Sequence, residues 1–171
     1  MASIDFTGSN QFGRWLIDNA RQARVYAEMA GVNTVIIEST NEYAAMLRNL
    51  AFTLSLYSGQ MCTTTQNILI PRTGIQTDEG PKSFDQVGAD LAAAVTELAS
   101  NPRVATAVLG AVCSPDTVDR MQQAAGRGRL VLASRALPHP EFPTAQTHTP
   151  VIEARNQADS AIYGQECFGP V

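Results

Sequence analysis

The stretch Gly59-Gln60-Met61-Cys62-Thr63 lies between an amphipathic segment that runs to Tyr57 and a segment, residues 66–71, that favours a strand. This order predicts a tight turn from a helix into a strand. A cysteine in such a turn has a free backbone N–H and presents its sulfur to a cleft. The thiolate is the nucleophilic form of cysteine, and nearby N–H groups favour it. Cys62 is therefore a candidate nucleophile, although a free cysteine is more commonly a small buried residue.

Strands and helices alternate on both sides of this turn. The β-branched run at 34–37 predicts a strand that is buried on both faces, as in a parallel sheet. The alternation favours an α/β layer architecture with a largely parallel sheet. The sequence predicts strands at 3–7, 24–27, 33–38, 66–71, 130–133 and 149–153, and helices at 10–19, 43–57, 83–100 and 115–125.

Two segments have the composition of irregular surface structure. Residues 72–82 are rich in Gly, Thr, Asp and Pro and predict an exposed loop, and residues 137–149 hold three prolines and two histidines. His139 and His148 have no acid or cysteine at metal-ligand spacing, so we predict two surface residues and no metal site. Ser39-Thr40-Asn41 supplies N-cap candidates for the helix at 43–57. Four further residues are predicted to pack in the core or near it: Trp15, Tyr57, Cys113 and Cys167.

Length, charge and cysteine content narrow the class of protein. The 171 residues, 44% hydrophobic and 16% charged, suffice for one compact core. A net charge of −4 argues against nucleic acid or an anionic membrane as the main partner. No apolar run approaches the roughly 20 residues of a membrane helix, and no secretory signal is visible. The three cysteines are an odd number without metal-like spacing, which predicts reduced thiols and a cytoplasmic location.

Two more positions carry residue types that could act with Cys62. Glu28 ends a predicted strand among small and apolar neighbours, where a carboxylate suits general-base chemistry. The alternative is a solvated loop carboxylate. The turn Phe6-Thr7-Gly8-Ser9 precedes a helix, whose N-terminal N–H groups favour an anion such as a phosphate; many such turns bind nothing. A thiol and a carboxylate base can together turn an aldehyde into a thioester and hydrolyse it.

Four segments resemble the aldehyde dehydrogenase superfamily in their order and spacing. The 34 positions between Glu28 and Cys62 are typical of that family. The segments are Phe6-Thr7-Gly8-Ser9, Glu28 with Gly31, Gly59-Gln60-Met61-Cys62-Thr63, and Glu166 with Phe168-Gly169-Pro170-Val171.

The resemblance implies a role for each of these segments. Cys62 would be the catalytic nucleophile, with its N–H as half of the oxyanion hole, and Glu28 would be the general base. The implied cofactor is NAD or NADP. Four residues would bind it: Gly8 and Ser9 beside the pyrophosphate, Glu166 at the nicotinamide ribose, and Phe168 beside the nicotinamide.

The resemblance also implies a domain organisation and a substrate class. Residues 1–28 would be the end of a cofactor-binding domain, and 29–171 a three-layer catalytic domain truncated at its C-terminal side. The sequence around the motifs is similar to that of the ring-opening aldehyde dehydrogenases of bacterial phenylacetate degradation. That similarity implies a semialdehyde substrate in the form of a coenzyme A thioester, and a homo-oligomer at full length. The family has Glu-Leu-Gly-Gly-Lys where this chain has Glu28-Met29-Ala30-Gly31-Val32, and residues 72–82 would be an inserted lid or interface loop.

Two other functions stay open at this point. The chain could be a non-catalytic remnant or an interaction module that lacks a complete cofactor site. Cys62 and Glu28 could instead form a weak thiol esterase that needs no cofactor. The truncated catalytic domain that the resemblance implies should expose an apolar cut surface, which predicts association or poor solubility of the chain alone.

Overall fold

The computed structural model describes residues 2–156, 158 and 163–171. The chain divides into two compact units, one that ends at Gly31 and one from Val32 to Val171. The resemblance implies a division between residues 28 and 29. The assignment of the first unit to a cofactor-binding domain and of the second to a catalytic domain stays a prediction.

The first unit is a strand–helix–strand element. Strand β1 (Ala2–Gly8) and strand β2 (Ala23–Met29) pair in parallel, and helix α1 (Asn10–Asn19) connects them. The helix packs closely on the sheet, because a Cβ at Gly13 would lie 2.5 Å from the Sδ atom of Met29. All three predicted elements are confirmed.

The second unit combines helices with parallel and antiparallel strand pairs. Strands β3 with β5 and β4 with β6 are parallel, and β6 with β7, β8 with β11 and β9 with β10 are antiparallel. The mixed α/β class is confirmed. The elements are β3 (Asn33–Ile36), β4 (Ser39–Thr40), α2 (Tyr43–Ser55), β5 (Thr65–Leu69), β6 (Ile75–Thr77), β7 (Gly80–Lys82), α3 (Phe84–Leu98), α4 (Pro102–Leu109), α5 (Pro115–Ala124), β8 (Arg129–Leu132), β9 (Ala136–Leu137), β10 (Thr147–His148) and β11 (Ile152–Ala154).

Helices α2 and α3 form the core of the second unit with residues from neighbouring strands. Apolar residues recur every three or four positions on each helix, so that each helix has one apolar face. Ser83 begins α3 with a capping box to Gln86, as the predicted start of that helix requires. The buried cluster contains Ile37, Tyr43, Leu47, Leu50, Ile75, Val87 and Leu91.

The segment 72–82 is not the exposed loop that its composition predicts. It forms the hairpin β6–β7, and Ile75 within it is only 2% exposed. Strand β6 also pairs with β4, so the segment belongs to a three-stranded sheet. The prediction of an exposed loop is therefore wrong for this segment, because its central side chain is part of the core. That the segment is an insertion at an interface stays a prediction.

Helix α2 begins and ends differently from its prediction. Its N-terminus has no side-chain cap from 39–41, because Ser39 and Thr40 form β4; instead Asp78 accepts a 2.9 Å bond from the Tyr43 N–H. The helix ends at Ser55. Tyr57 therefore leaves the apolar face and is exposed, against the prediction that it packs in the core.

Several other predicted environments are wrong. Strand β3 is not buried on both faces, because Ile36 is 75% exposed; β5 is its single paired strand among the described residues. Trp15 is 55% exposed and Cys113 is exposed, although the sequence predicts both in the core. The segment 137–149 contributes to the pair β9–β10, in which Thr147 is buried. Helix α4 was not predicted.

Candidate functional site

A left-handed turn presents the Cys62 segment after helix α2. Within Leu56–Gly59, Tyr57 and Ser58 have φ of 51° and 53°, and Gly59 has φ of 63°. Such a backbone costs on the order of 1–2 kcal/mol for each non-glycine residue, so surrounding contacts must hold it. The fully buried Ser58 supplies one, because its hydroxyl donates a 2.8 Å bond to the carbonyl of Leu109.

The side chain of Gln60 fixes the same turn to the segment after α4. Its Nε2 donates to the carbonyls of Tyr57 at 2.9 Å and of Ala111 at 3.0 Å. Its Oε1 accepts a 2.9 Å bond from the N–H of Cys113. The side-chain amide thus bonds through both its nitrogen and its oxygen, and it connects two chain segments about fifty residues apart.

Cys62 is exposed on this turn, with its backbone held on the carbonyl side. Its carbonyl accepts a 2.6 Å bond from Nδ2 of Asn33, and the N–H of Thr64 donates to the carbonyl of Met61 at 3.0 Å. Among the described residues no partner is found for the N–H of Cys62. An accessible thiol next to an unpaired N–H can attack a carbonyl carbon and stabilise the oxyanion that forms.

The segment from Glu166 to Pro170 packs directly against the Cys62 turn. A Cβ at Gly59 would lie 2.3 Å from the carbonyl oxygen of Gly169, so the two backbones are in contact there. The N–H of Cys167 donates a 2.9 Å bond to Oε1 of Gln66, four residues after Cys62. The structure therefore brings together two of the motifs that are about a hundred residues apart in sequence.

Arg120 on helix α5 contacts the same segment from the other side. Its Nε donates a 3.1 Å bond to the carbonyl of Phe168, and its Nη2 donates a 2.6 Å bond to the hydroxyl of the buried Thr117. Burial raises the pKa of Glu166, and the Arg120 charge opposes that increase. Burial also raises the pKa of Cys167, again against Arg120. The Cys167 thiol is therefore kept protonated, which makes it a poor nucleophile.

In the first unit, the parallel strands β1 and β2 bring Gly8, Ser9 and Glu28 to their shared carboxyl end. Glu28 is exposed and is in register with Thr7, directly before Gly8. Ser9 caps α1 by accepting a 3.3 Å bond from the N–H of Phe12. The ring of Phe6 fills the space beside Gly8, because a Cβ there would lie 2.7 Å from Cζ of Phe6. The first N–H groups of α1 are donors of the kind that favours a phosphate group. The pyrophosphate contact that the resemblance implies for Gly8 and Ser9 stays a prediction.

The structure thus groups the six predicted residues by unit. Gly8, Ser9 and Glu28 belong to the first unit, and Cys62, Glu166 and Phe168 to the second. Asn33 and Arg120, which hold the second group, were missed. Both are polar residues whose relevance shows only when distant segments meet, so their sequence neighbourhoods gave no signal.

The histidines take no part in either group. Nδ1 of His139 accepts bonds from the N–H groups of Glu141 and Phe142. His148 is half-buried in β10, and burial lowers its pKa. In the ranges that the structure describes, no set of three or more His, Cys, Asp or Glu residues could hold a metal ion. The same ranges contain no helix that is both long and apolar enough to cross a membrane.

The family model of the aldehyde dehydrogenase family matches residues 1–171, the whole chain. The chain belongs to the aldehyde dehydrogenase family. An NAD-dependent aldehyde dehydrogenase from Burkholderia multivorans has a similar structure, with a TM-score of 0.95 and 45% sequence identity. That match covers 100% of this chain and 31% of the Burkholderia protein. The chain therefore spans about a third of the length of that relative.

More distant family members share the fold. A putative methylmalonate-semialdehyde dehydrogenase from Sinorhizobium meliloti, in complex with NAD, has 15% identity and a TM-score of 0.69, covering 99% of this chain and 35% of its own. A gamma-glutamyl-gamma-aminobutyraldehyde dehydrogenase from Burkholderia cenocepacia has 21% identity and a TM-score of 0.70, covering 99% and 34%. A search of curated protein sequences gave no match.

Proposed function

We propose that the protein containing this chain is an NAD(P)-dependent aldehyde dehydrogenase of the hydrolytic kind. The observation that carries the proposal is that Cys62 is exposed on an ordered turn. The carbonyl of Cys62 accepts a bond from Asn33, and the N–H of Thr64 donates a bond to the carbonyl of Met61. The retained Glu28 favours release of the acyl group by water over release by a thiol. Gly8, Ser9, Glu166 and Phe168 would hold the cofactor.

The residues of this chain account for the covalent steps. The Cys62 thiolate adds to the aldehyde carbon, and the Cys62 N–H stabilises the resulting oxyanion of the thiohemiacetal. NAD, when bound, supplies the acceptor for the hydride and so allows oxidation to the thioester. Glu28 then takes a proton from water, the water oxygen attacks the thioester carbon, and the Cys62 thiolate leaves as the acid is released.

The finer assignments rest on similarity. The Burkholderia multivorans relative is described as NAD-dependent, which supports NAD over NADP. The residues that flank the motifs support a semialdehyde of phenylacetate degradation as the substrate, in the form of a coenzyme A thioester. A homo-oligomer in the cytoplasm is part of the same proposal.

The test compares two variants of the protein that contains this chain. Cys62→Ala should lower aldehyde oxidation at least ~10³-fold, since the nucleophile is lost. Glu28→Gln should slow steady-state turnover by ~10²–10⁴-fold, because the base for hydrolysis is lost, while a pre-steady-state burst of reduced cofactor persists. Cys113→Ser is the matched control, because Cys113 is also an exposed thiol.

Each variant can contradict its part of the proposal. Activity of Cys62→Ala near the parent level would remove the assignment of the nucleophile. Loss of the burst in Glu28→Gln would mean that Glu28 acts earlier, on the thiol. Ester hydrolysis without nicotinamide, together with absent aldehyde oxidation, would favour the thiol esterase.

A further inference from the structure

We propose that Asn33 is a positioning residue for Cys62, because its side-chain amide holds the carbonyls on both sides of Thr63. This inference rests on the proposed role of Cys62 as the nucleophile. Nδ2 of Asn33 donates to the carbonyl of Cys62 at 2.6 Å and to the carbonyl of Thr64 at 3.2 Å. A primary amide has two N–H groups and no charge, so it can serve two carbonyls at once.

The backbone around Asn33 places its side chain toward the turn. Asn33 is the first residue of β3 and is paired with Thr65 of β5, just after the nucleophile segment. The partner advances from Thr65 at Asn33 to Asn67 at Thr34, so the extra residue is Gln66 of β5 and the pairing is irregular beside Asn33. Bulges of this kind redirect side chains and recur next to functional sites. Here the irregularity coincides with the two bonds that Asn33 donates.

These bonds fix the backbone from which the thiol projects. A peptide unit is planar, so a held carbonyl fixes ψ at Cys62. The bond from the Thr64 N–H to the Met61 carbonyl closes the turn around the same residue. The sulfur must lie within about 3–3.5 Å of the carbon that it attacks, and a displacement of about 1 Å can lower a rate by ~10²-fold. Loss of the Asn33 bonds should therefore affect the attack more than it affects cofactor binding.

The test uses Asn33→Asp, Asn33→Ala and Asn33→Ser in the protein that contains this chain. The ionised carboxylate of Asn33→Asp has nearly the same shape as the amide but cannot donate, and it would face two carbonyl oxygens. We expect Asn33→Ala to lower kcat/KM for an aldehyde by ~10–100-fold with the Kd for NAD unchanged. The loss should be larger in Asn33→Asp and smaller in Asn33→Ser, whose hydroxyl can still donate one bond.

A second readout requires no turnover. The rate of alkylation of Cys62 by iodoacetamide, measured by peptide mass mapping, is divided by the rate at Cys113 in the same sample. We expect this ratio to change in the Asn33 variants. Asn101→Ala is the matched control, because Asn101 caps α4 and loses its bonds to the N–H groups of Arg103 and Val104. It should lower the Tm while both kcat/KM and the alkylation ratio stay at their parent values.

The outcomes separate this inference from the proposed function. The inference is overturned if kcat/KM and the alkylation ratio are both unchanged in the Asn33 variants. It is also overturned if Asn101→Ala, with a Tm as low as that of the Asn33 variants, loses as much kcat/KM as they do. Should the Asp and Ala variants not fold, Asn33→Ser decides by the same two readouts. If Cys62→Ala keeps its activity, the proposed function fails, while the alkylation ratio still reports whether Asn33 positions the Cys62 turn.

Discussion

Gly59 is the residue at which the Cys62 turn meets the Glu166–Pro170 segment. It has φ of 63°, and a Cβ there would lie 2.3 Å from the Gly169 carbonyl oxygen and 2.7 Å from its carbon. Both atoms belong to the backbone, so a neighbouring rotamer change cannot relieve the clash. Glycine is thus required twice, by its own conformation and by the contact.

Replacing Gly59 by alanine should separate these two requirements. Gly110 is a control of similar φ, 62°, at which a Cβ would have no atom within 4 Å; its ψ is −137°. Gly110→Ala should cost about 1–3 kcal/mol from backbone strain alone. Gly59→Ala should cost at least ~2 kcal/mol more, since overpacking against backbone is added. Denaturant unfolding of both variants measures the difference, and equal losses would contradict the packed contact.

Individual elements were predictable where they are long and periodic. The helix predicted at 83–100 is confirmed as α3, with Ser83 as its N-cap and with Val87, Leu91 and Val95 buried on its apolar face. Strands β4, β6, β7, β9 and β10 have two or three residues each, too few to show an alternating pattern. Their pairing partners and the burial of Ile75 come from tertiary contacts, which local composition does not encode. The start signal Asn101-Pro102 was present, but α4 has only eight residues.

At the element scale, the stability of variants in the hairpin β6–β7 tests whether this hairpin is part of the core or a lid on the surface. Ile75 is 2% exposed within the main core cluster. Ile75→Ala should therefore destabilise the fold by about 2–5 kcal/mol, and Ile75→Val by about 0.5–1.5 kcal/mol. A lid side chain would give losses within about 0.5 kcal/mol for both. Thermal or denaturant unfolding of the two variants distinguishes these cases, and a flat response would restore the lid.

At the scale of the whole molecule, the sequence predicted the candidate catalytic and cofactor-binding residues but not the polar residues that hold their backbone in place. Cys62 and Glu166 are found by the resemblance of their motifs, and the structure of the second unit brings those motifs into contact. Asn33, Gln60 and Arg120 act through bonds to backbone carbonyls of remote segments. A carbonyl is present at every residue, so such partners leave no pattern in the sequence.

The chain as a whole also exposes apolar side chains that a soluble monomer usually covers. Ile36 is 75% exposed and is in register with Leu69, which is 43% exposed, on the uncovered face of β3 and β5. Adjacent exposed apolar groups favour association.

The 171-residue chain expressed alone should therefore sediment as species larger than 18.3 kDa at tens of micromolar. Ile36→Thr with Leu69→Thr should shift it toward the monomer, because threonine keeps strand propensity and removes apolar area. Leu130→Thr, at a lone exposed leucine of β8, should leave the distribution unchanged; an equal shift would assign the association to general surface hydrophobicity and contradict a role for the β3–β5 face.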